Sequence, residues 1–448
     1  MRITHYRSVL FIASGLLFAG ACNTEGGEVT VDDDPTADDP TDDPTEDPTD
    51  DPTDDPTGDP TEDPTEDPTE DPTGTETWRD GEWLLVASDA IPFGQDTYDL
   101  TITESGDYYV VYGRDVDQEL WAMQSSDGGV TWGAATQVTN GETWSHTLRD
   151  KPYIISNDTD VHVIFQDQQA QGFPSVLWPR WYSSSAGANL SFGGPNEAPI
   201  NPANNWNHFP QLGFRADGEL WLTWISFGLS FNKEGYFARE SNGFQPELLT
   251  ATQTPCDCCQ AHLLTTESGD LMYAWRSEWL DNTVMKRDPV VFIARDGDDF
   301  FSDEVKMSTT SWAINACPQE GVRMAAGAGK VYSVWADTTA GPWTTWLAES
   351  SDNGATWLPE VEVDDTMGDN KSPNVAVDDS GDVWVVLEEG TQYNLLHRGA
   401  GDVDFDNRMR LLDPDGSDVR DPIVVSNAGE TAVITQDITT GRLWLYKP

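Results

Sequence analysis

Basic residues are scarce in this sequence. Lys and Arg total 24 against 79 Asp and Glu, a formal net charge of −55 over 448 residues. Residues 32–74 hold 20 acids and no base, and from Thr75 onward there are still 57 acids against 22 bases. Such a surface repels the nucleic-acid backbone, which excludes DNA and RNA as partners. The apolar stretch near the start, residues 9–18, is too short to cross a bilayer as a helix. Between residues 39 and 73 there is nothing apolar to bury, so that segment builds no core. Cysteine is sparse as well, at five residues.

The two ends of the composition belong to different tasks. Arg2 and Arg7 precede the apolar stretch, and Ala19-Gly20-Ala21-Cys22 follows it. Basic, apolar and small-residue regions in that order are an export signal. The small residues before Cys22 resemble a bacterial lipobox, with Ala19 where Leu is more usual. The resemblance implies cleavage before Cys22, lipidation of that residue and a membrane contact through the lipid alone. Ordinary secretory cleavage is the alternative. Asn23 in place of Asp implies outer-membrane or surface display in a Gram-negative cell. Residues 39–73 then repeat Asp-Pro-Thr every four residues. Pro removes backbone donors and the like charges repel, so an extended spacer is expected. The expected organisation is a signal peptide at 1–21, a lipidated linker at 22–77 and a folded body at 78–448.

The body repeats. A polar turn followed by a strongly apolar strand recurs at 104–112, 158–165, 216–224, 267–275, 327–335, 379–387 and 427–435. Gly supplies positive φ in most of these turns, and the following strands are apolar on both faces, as expected when sheets pack on either side. A period of about 40–50 residues is that of propeller blades. Seven copies predict an all-β, seven-bladed propeller; six blades is the alternative if the last copy is irregular. The last copy holds only three strands before the chain stops, and residues 82–88 can supply the fourth and close the ring.

Two stretches read Ser-x-Asp-x-Gly-x-Thr-Trp: Ser125, Asp127, Gly129, Thr131 and Trp132, then Ser350, Asp352, Gly354, Thr356 and Trp357. Each follows its inner hairpin by about twenty residues, between the third and fourth strands. Arg295–Phe300 is a decayed copy. These stretches resemble the Asp-box repeat of sialidases and related propellers, over residues 78–448. The resemblance implies a sialidase-like fold that recognises a glycan at the pore rim and, if the rim residues are catalytic, hydrolyses it. Sialidases carry three Arg, a Tyr–Glu nucleophile pair and an early Phe/Tyr-Arg-Ile-Pro motif. That motif is missing here. Rim candidates are Arg149, Arg276, Arg287, Arg323 and Arg420, with Tyr393 near Glu388.

Cys256, Cys258, Cys259 and Cys317 precede the inner strands of two adjacent copies. An even count in an oxidising compartment favours two disulfides: the trio is too crowded for a relaxed pairing within itself, so Cys317 takes one of the three and the leftover pair closes a tight, strained local ring. A thiolate site for copper or zinc, with His262 as a weak further ligand, is the alternative and would make the protein a metal-binding or interaction lipoprotein. His146 and His208 are placed near the rim and His162 within a strand. Residues 402–406 and 413–418 loosely resemble calcium loops but lack the full ligand pattern. A monomer is expected.

Overall fold

A computed structural model describes residues 81–90, 97–142, 144, 151–168, 177–199, 205–228, 232–316, 318–364, 369–405 and 407–448. All fall in the second of two compact units, Glu76–Pro448. Cys22, the acidic repeat, His146, Arg149 and Cys317 lie outside the described residues. Among the described residues there is no α-helix, and no helix is long and apolar enough to cross a membrane.

The repeated turn-and-strand pattern becomes a repeated antiparallel meander. The first runs Tyr98–Ile102, Tyr108–Gly113, Leu120–Ser125 and Thr136–Gln137, each strand paired with the next. The others follow the same order, and the largest sheet is two meanders joined by the single parallel pair Trp206↔Leu177. The second strands are buried on both faces. Tyr108–Gly113 is buried at every position, and Leu220–Gly228 at all but its last. That explains their unbroken apolar runs, because each sheet is covered by a neighbour on either side.

The core consists of layers between successive meanders. Val110 and Tyr112 pack with Ile434 and Leu445 of the last meander, and Tyr109 and Val111 with Val163 and Phe165 of the next. Trp221 and Phe237 pack with Tyr273 and Trp275. Fully burying one such side chain contributes about 1.5–3 kcal/mol. The first strands also touch in succession. Tyr98–Ile102 contacts Tyr153–Ser156, and the series continues through Asn205–Phe214, His262–Thr265, Val322–Gly327 and Asn370–Val377 to Val419–Asn427, which contacts Tyr98–Ile102 again. This is the arrangement of a β-propeller.

The strand that the last repeat lacks comes from the start of the body. Glu82–Ala87 pairs antiparallel with Leu443–Lys447, in the order Glu82–Ala87, Leu443–Lys447, Glu430–Asp437, Val419–Asn427. The sheet edge left by the last meander is thereby covered.

The two Ser-x-Asp-x-Gly-x-Thr-Trp stretches are turns after third strands, Leu120–Ser125 and Thr344–Ser350. In the second, the Ser350 hydroxyl donates to Asp352 Oδ1 at 2.9 Å and accepts the Gly354 N–H at 2.8 Å. The Thr356 N–H and hydroxyl donate to the two Asp352 oxygens at 2.8 and 2.6 Å. The first turn repeats these bonds through Ser125, Asp127, Gly129 and Thr131. Hydrogen bonds from Thr131 and Thr356 hold the Asp127 and Asp352 carboxyls below their ordinary pKa. Gly354, at φ +80°, faces the Met272 methyl of the neighbouring meander, where an added Cβ would lie 2.3 Å away. The turns therefore tie meanders together through polar bonds within and a glycine contact without.

Candidate functional site

A meander's first strand begins at the end of the sheet opposite these turns, because the chain reverses at each hairpin. A cleft opens at that end. Arg323, Ser372, Asn374 and Asp421 reach it from the beginnings of three first strands, and Lys151 and Gln260 from just ahead of two more. Tyr393 joins them from the start of Gln392–Arg398, a third strand, which begins at the same end.

The backbone there is distorted in a repeated way. The register slips between His208 and Gln211, between Lys371 and Asn374, and between Arg420 and Ile423. In each bulge a residue before proline takes a left-handed φ: Phe209 at 53°, Ser372 at 52° and Asp421 at 48°. Non-glycine residues adopt such angles rarely, and they collect where a side chain must be re-aimed. The bulges turn Ser372 and Asp421 into the cleft. The first-strand sequences His208-Phe209-Pro210-Gln211, Lys371-Ser372-Pro373-Asn374 and Arg420-Asp421-Pro422-Ile423 carried this signal. Ser372, Asn374 and Asp421 are none of the Arg, Tyr and Glu types that the sialidase resemblance points to.

Hydrogen bonds across meanders hold the cleft. The Tyr98 hydroxyl lies 2.9 and 2.8 Å from the Arg420 and Asp421 carbonyl oxygens. The Tyr393 hydroxyl donates to Asp421 Oδ1 at 3.1 Å. The Ser372 N–H donates to Glu320 Oε2 at 2.9 Å, and its hydroxyl lies 3.3 Å from Glu320 Oε1 and 3.1 Å from Glu388 Oε2. Lys151 is buried and pairs with Asp99 Oδ1 at 2.7 Å. Arg323 donates to the Gln260 side-chain oxygen and to the Ala261 carbonyl, so it meets neutral acceptors in a strongly acidic protein.

The sequence-derived candidates divide. Arg323 and Tyr393 line the cleft. Glu388 touches it through Ser372; Glu388 and Tyr393 are cross-strand partners, but the phenol bonds Asp421. Arg420 donates to Gln436 of its own meander. Arg276 and Arg287 are not rim residues. Arg276 sits fully buried in a second strand, where Nε donates to the Glu320 carbonyl at 2.8 Å and the guanidinium lies 4.9 Å over Trp312. Burial lowers its pKa to about 10. Arg287 is buried in the paired third strand, bonded to Glu278 at 2.8 Å and to the Ile314 carbonyl at 2.7 Å. Both face into the packing between sheets, a direction set by strand register that the residue type alone does not reveal.

The pair within the cysteine trio is a local one. Cys256 bonds Cys259, with Cα atoms 5.4 Å apart, and Cys258, whose Sγ lies 3.6 Å from Cys256 Sγ, is itself disulfide-bonded. The turn after Cys256 brings it and Cys259 to ordinary disulfide spacing, so the local ring is not cramped, and the expected bond from the trio to Cys317 falls on a residue outside the described ones. His262 stands apart from this cluster. Its Nδ1 accepts the Met324 N–H at 3.1 Å, and burial, then Arg323 and Lys151, push its pKa well below the usual value. His162 is packed against Ser183, and burial lowers its pKa to about 4. Of the calcium-like loops, Asp413 accepts the N–H groups of Asp415 and Ser417 at 3.0 and 2.6 Å, an ordinary Asx turn. Residues 402–406 include Asp406, which lies outside the described residues.

No protein-family model matches the chain, and no curated protein matches it. Solved structures do. A lectin from Burkholderia pseudomallei is similar at 11% identity and a TM-score of 0.53, over 80% of this chain and 98% of that one. The polysaccharide lyase Uly1 is similar at 9% identity and 0.51, over 81% and 91%. An ulvan lyase, solved with a bound chain of glucuronic acid and 3-sulfated rhamnose, is similar at 12% identity and 0.50, over 81% and 94%. At such identities the likeness concerns the fold, which is a β-propeller.

Proposed function

We propose that the folded body is a seven-bladed, sialidase-like propeller that binds a glycan in the cleft where its first strands begin. The observation that carries this is the cleft itself. It gathers a lysine, an arginine bonded to amide and carbonyl oxygens, a phenol, two carboxylates, a hydroxyl and two amides on bulged, cross-braced strands. Concave sites with a few convergent polar groups and a ring suit hydroxyl-rich ligands. Similarity to a lectin and to polysaccharide lyases makes glycans the first ligands to test. The seven-blade count is supported by the closed succession of first strands and by the core layers between meanders. We read the chain as exported, anchored through lipidated Cys22, displayed on its acidic linker and monomeric. The test is calorimetric titration with neutral, sialylated and uronate-containing oligosaccharides, with cleavage products assayed in the same samples. Binding that Arg323→Gln abolishes supports the reading. No binding by any oligosaccharide in the panel rejects it.

A second reading rests on the sulfurs of Cys256, Cys258 and Cys259, which lie within 4.8 Å of one another. A copper or zinc site there needs both the Cys256–Cys259 bond and the disulfide of Cys258 reduced to thiolates. Elemental analysis of the purified protein, with thiol counting, decides it: stoichiometric metal with free thiols favours this reading over the first.

A further inference from the structure

The disulfide loop stands immediately before one wall of the cleft. Cys256 and Cys259 are fully buried. The Cys256 N–H donates to the Arg276 carbonyl at 2.8 Å, and Arg276 in turn holds the Glu320 carbonyl. Asp257, inside the loop, pairs with Lys233 at 2.8 Å, and Lys233 also pairs with Glu278 at 2.9 Å. Burial opposes the Lys233 charge, but Asp257 and Glu278 outweigh it and raise its pKa. The loop is therefore fixed on two sides before the chain leaves it at Cys259.

The next two residues form the wall. Gln260 is buried, lines the cleft and accepts from Arg323. The Ala261 carbonyl accepts from Gln211 at 2.8 Å and from Arg323 at 3.4 Å. Gly321, also lining the cleft, presses on the same segment: an added Cβ would lie 2.4 Å from the Gln260 carbonyl oxygen and 2.7 Å from its Cβ. Position 321 has no room for a side chain against Gln260, and Arg323 is bonded to Gln260, so a shift of Gln260 is passed to both.

We propose that the Cys256–Cys259 disulfide is the positioning element of the Gln260–Arg323 wall, so that opening it weakens ligand binding in the cleft while the propeller stays folded. The proposal rests on the glycan reading above for its ligand, and on geometry alone for its effect on Arg323. So short a loop restrains little of the unfolded chain, so the bond acts mainly on local structure. Opening it with dithiothreitol transfers two electrons and two protons to the sulfurs. The products are two thiols and the cyclic disulfide of the reagent.

The test compares the full chain with its Cys256→Ala/Cys259→Ala variant, and the parent before and after dithiothreitol; the reagent also reduces the disulfide of Cys258, so the double variant isolates the Cys256–Cys259 bond. Two readouts are taken: titration with the glucuronate–sulfated rhamnose oligosaccharide and with sialyllactose, and the rate at which phenylglyoxal modifies Arg323, followed by peptide mass spectrometry. We expect an affinity loss of about tenfold or more, faster modification of Arg323, and an unchanged far-ultraviolet spectrum. Equal Arg323 reactivity in the oxidised parent and the double variant overturns the proposal. If the parent binds neither oligosaccharide, the glycan reading fails for these ligands and the Arg323 rate alone decides the positioning role. If the double variant does not fold, Gly321→Ala displaces Gln260 with the bond intact. It must then raise Arg323 reactivity, and an unchanged rate overturns the proposal as well.

Discussion

Trp83 packs its ring 5.0 Å from that of Tyr446, its partner across the pair that joins the first described strand to the last. The Tyr446 hydroxyl also accepts the Gly81 N–H at 3.2 Å and lies 3.7 Å from the Met409 sulfur of the preceding meander. One side chain near the end of the chain thus holds the closing strand, the last sheet and its neighbour together.

Two truncations test the closing strand. Removing residues 1–77 leaves the Glu82–Ala87 strand intact and should leave the melting temperature unchanged. Removing residues 1–88 deletes it and exposes the edge of Leu443–Lys447, so the melting temperature should drop by several degrees or more. Tyr446→Ala in the full chain should cost about 3–5 kcal/mol, as for other buried aromatic truncations. Equal melting temperatures for the two truncations would remove the closing role of this strand.

The parts of the fold that local chemistry dictates could be read from the sequence. Glycine turns and two-faced apolar strands named the meanders, and a last repeat one strand short pointed to residues 82–88. The cleft was less legible. Arg276 and Arg323 are the same residue type in similar surroundings, yet strand register buries one in the packing and turns the other to the cleft. Ser372 and Asp421 owe their placement to bulges before proline, a backbone conformation that residue chemistry does not announce. Which two of the crowded cysteines form the local pair depends on a turn that spacing alone does not reveal.

Gly354→Ala and Gly106→Ala separate backbone strain from packing. Both glycines have positive φ, +80° and +83°, but an added methyl at Gly106 meets nothing within 4 Å, whereas at Gly354 it meets Met272 at 2.3 Å. Gly106→Ala should lose about 1 kcal/mol from the left-handed backbone. Gly354→Ala should lose a further ~1–3 kcal/mol from overpacking. Similar urea midpoints for the two variants would mean that Met272 moves aside freely and the turn does not brace its neighbour.

His262 gives a pH signature. Its pKa in the folded protein lies well below the unfolded value of about 6.5. Above that value both states are neutral there and stability is complete. Below it the unfolded chain takes up a proton that the folded protein refuses, so stability falls as pH falls. His262→Gln retains an acceptor for the Met324 N–H and cannot titrate. The parent should lose more stability than the variant between about pH 7.5 and 5.5, a window above the carboxylates. Parallel losses in urea titrations would show that His262 is not a source of the slope.

Arg276 and Arg323 should answer differently to substitution. Arg323 lines the cleft on amide and carbonyl acceptors, so Arg323→Gln removes a cation from the ligand's surroundings while Gln260 and Ala261 keep other contacts. Oligosaccharide affinity should fall about tenfold or more, with the melting temperature nearly unchanged. Arg276 is enclosed, and its guanidinium satisfies the carbonyls of Glu320 and Ala336. Arg276→Met strands both acceptors, at about 1–3 kcal/mol each. It also loosens the Glu320 segment that holds Ser372. Stability and affinity should therefore fall together in Arg276→Met, whereas Arg323→Gln loses affinity alone. If Arg323→Gln binds like the parent while Arg276→Met loses affinity without losing stability, the ligand sits elsewhere than in this cleft.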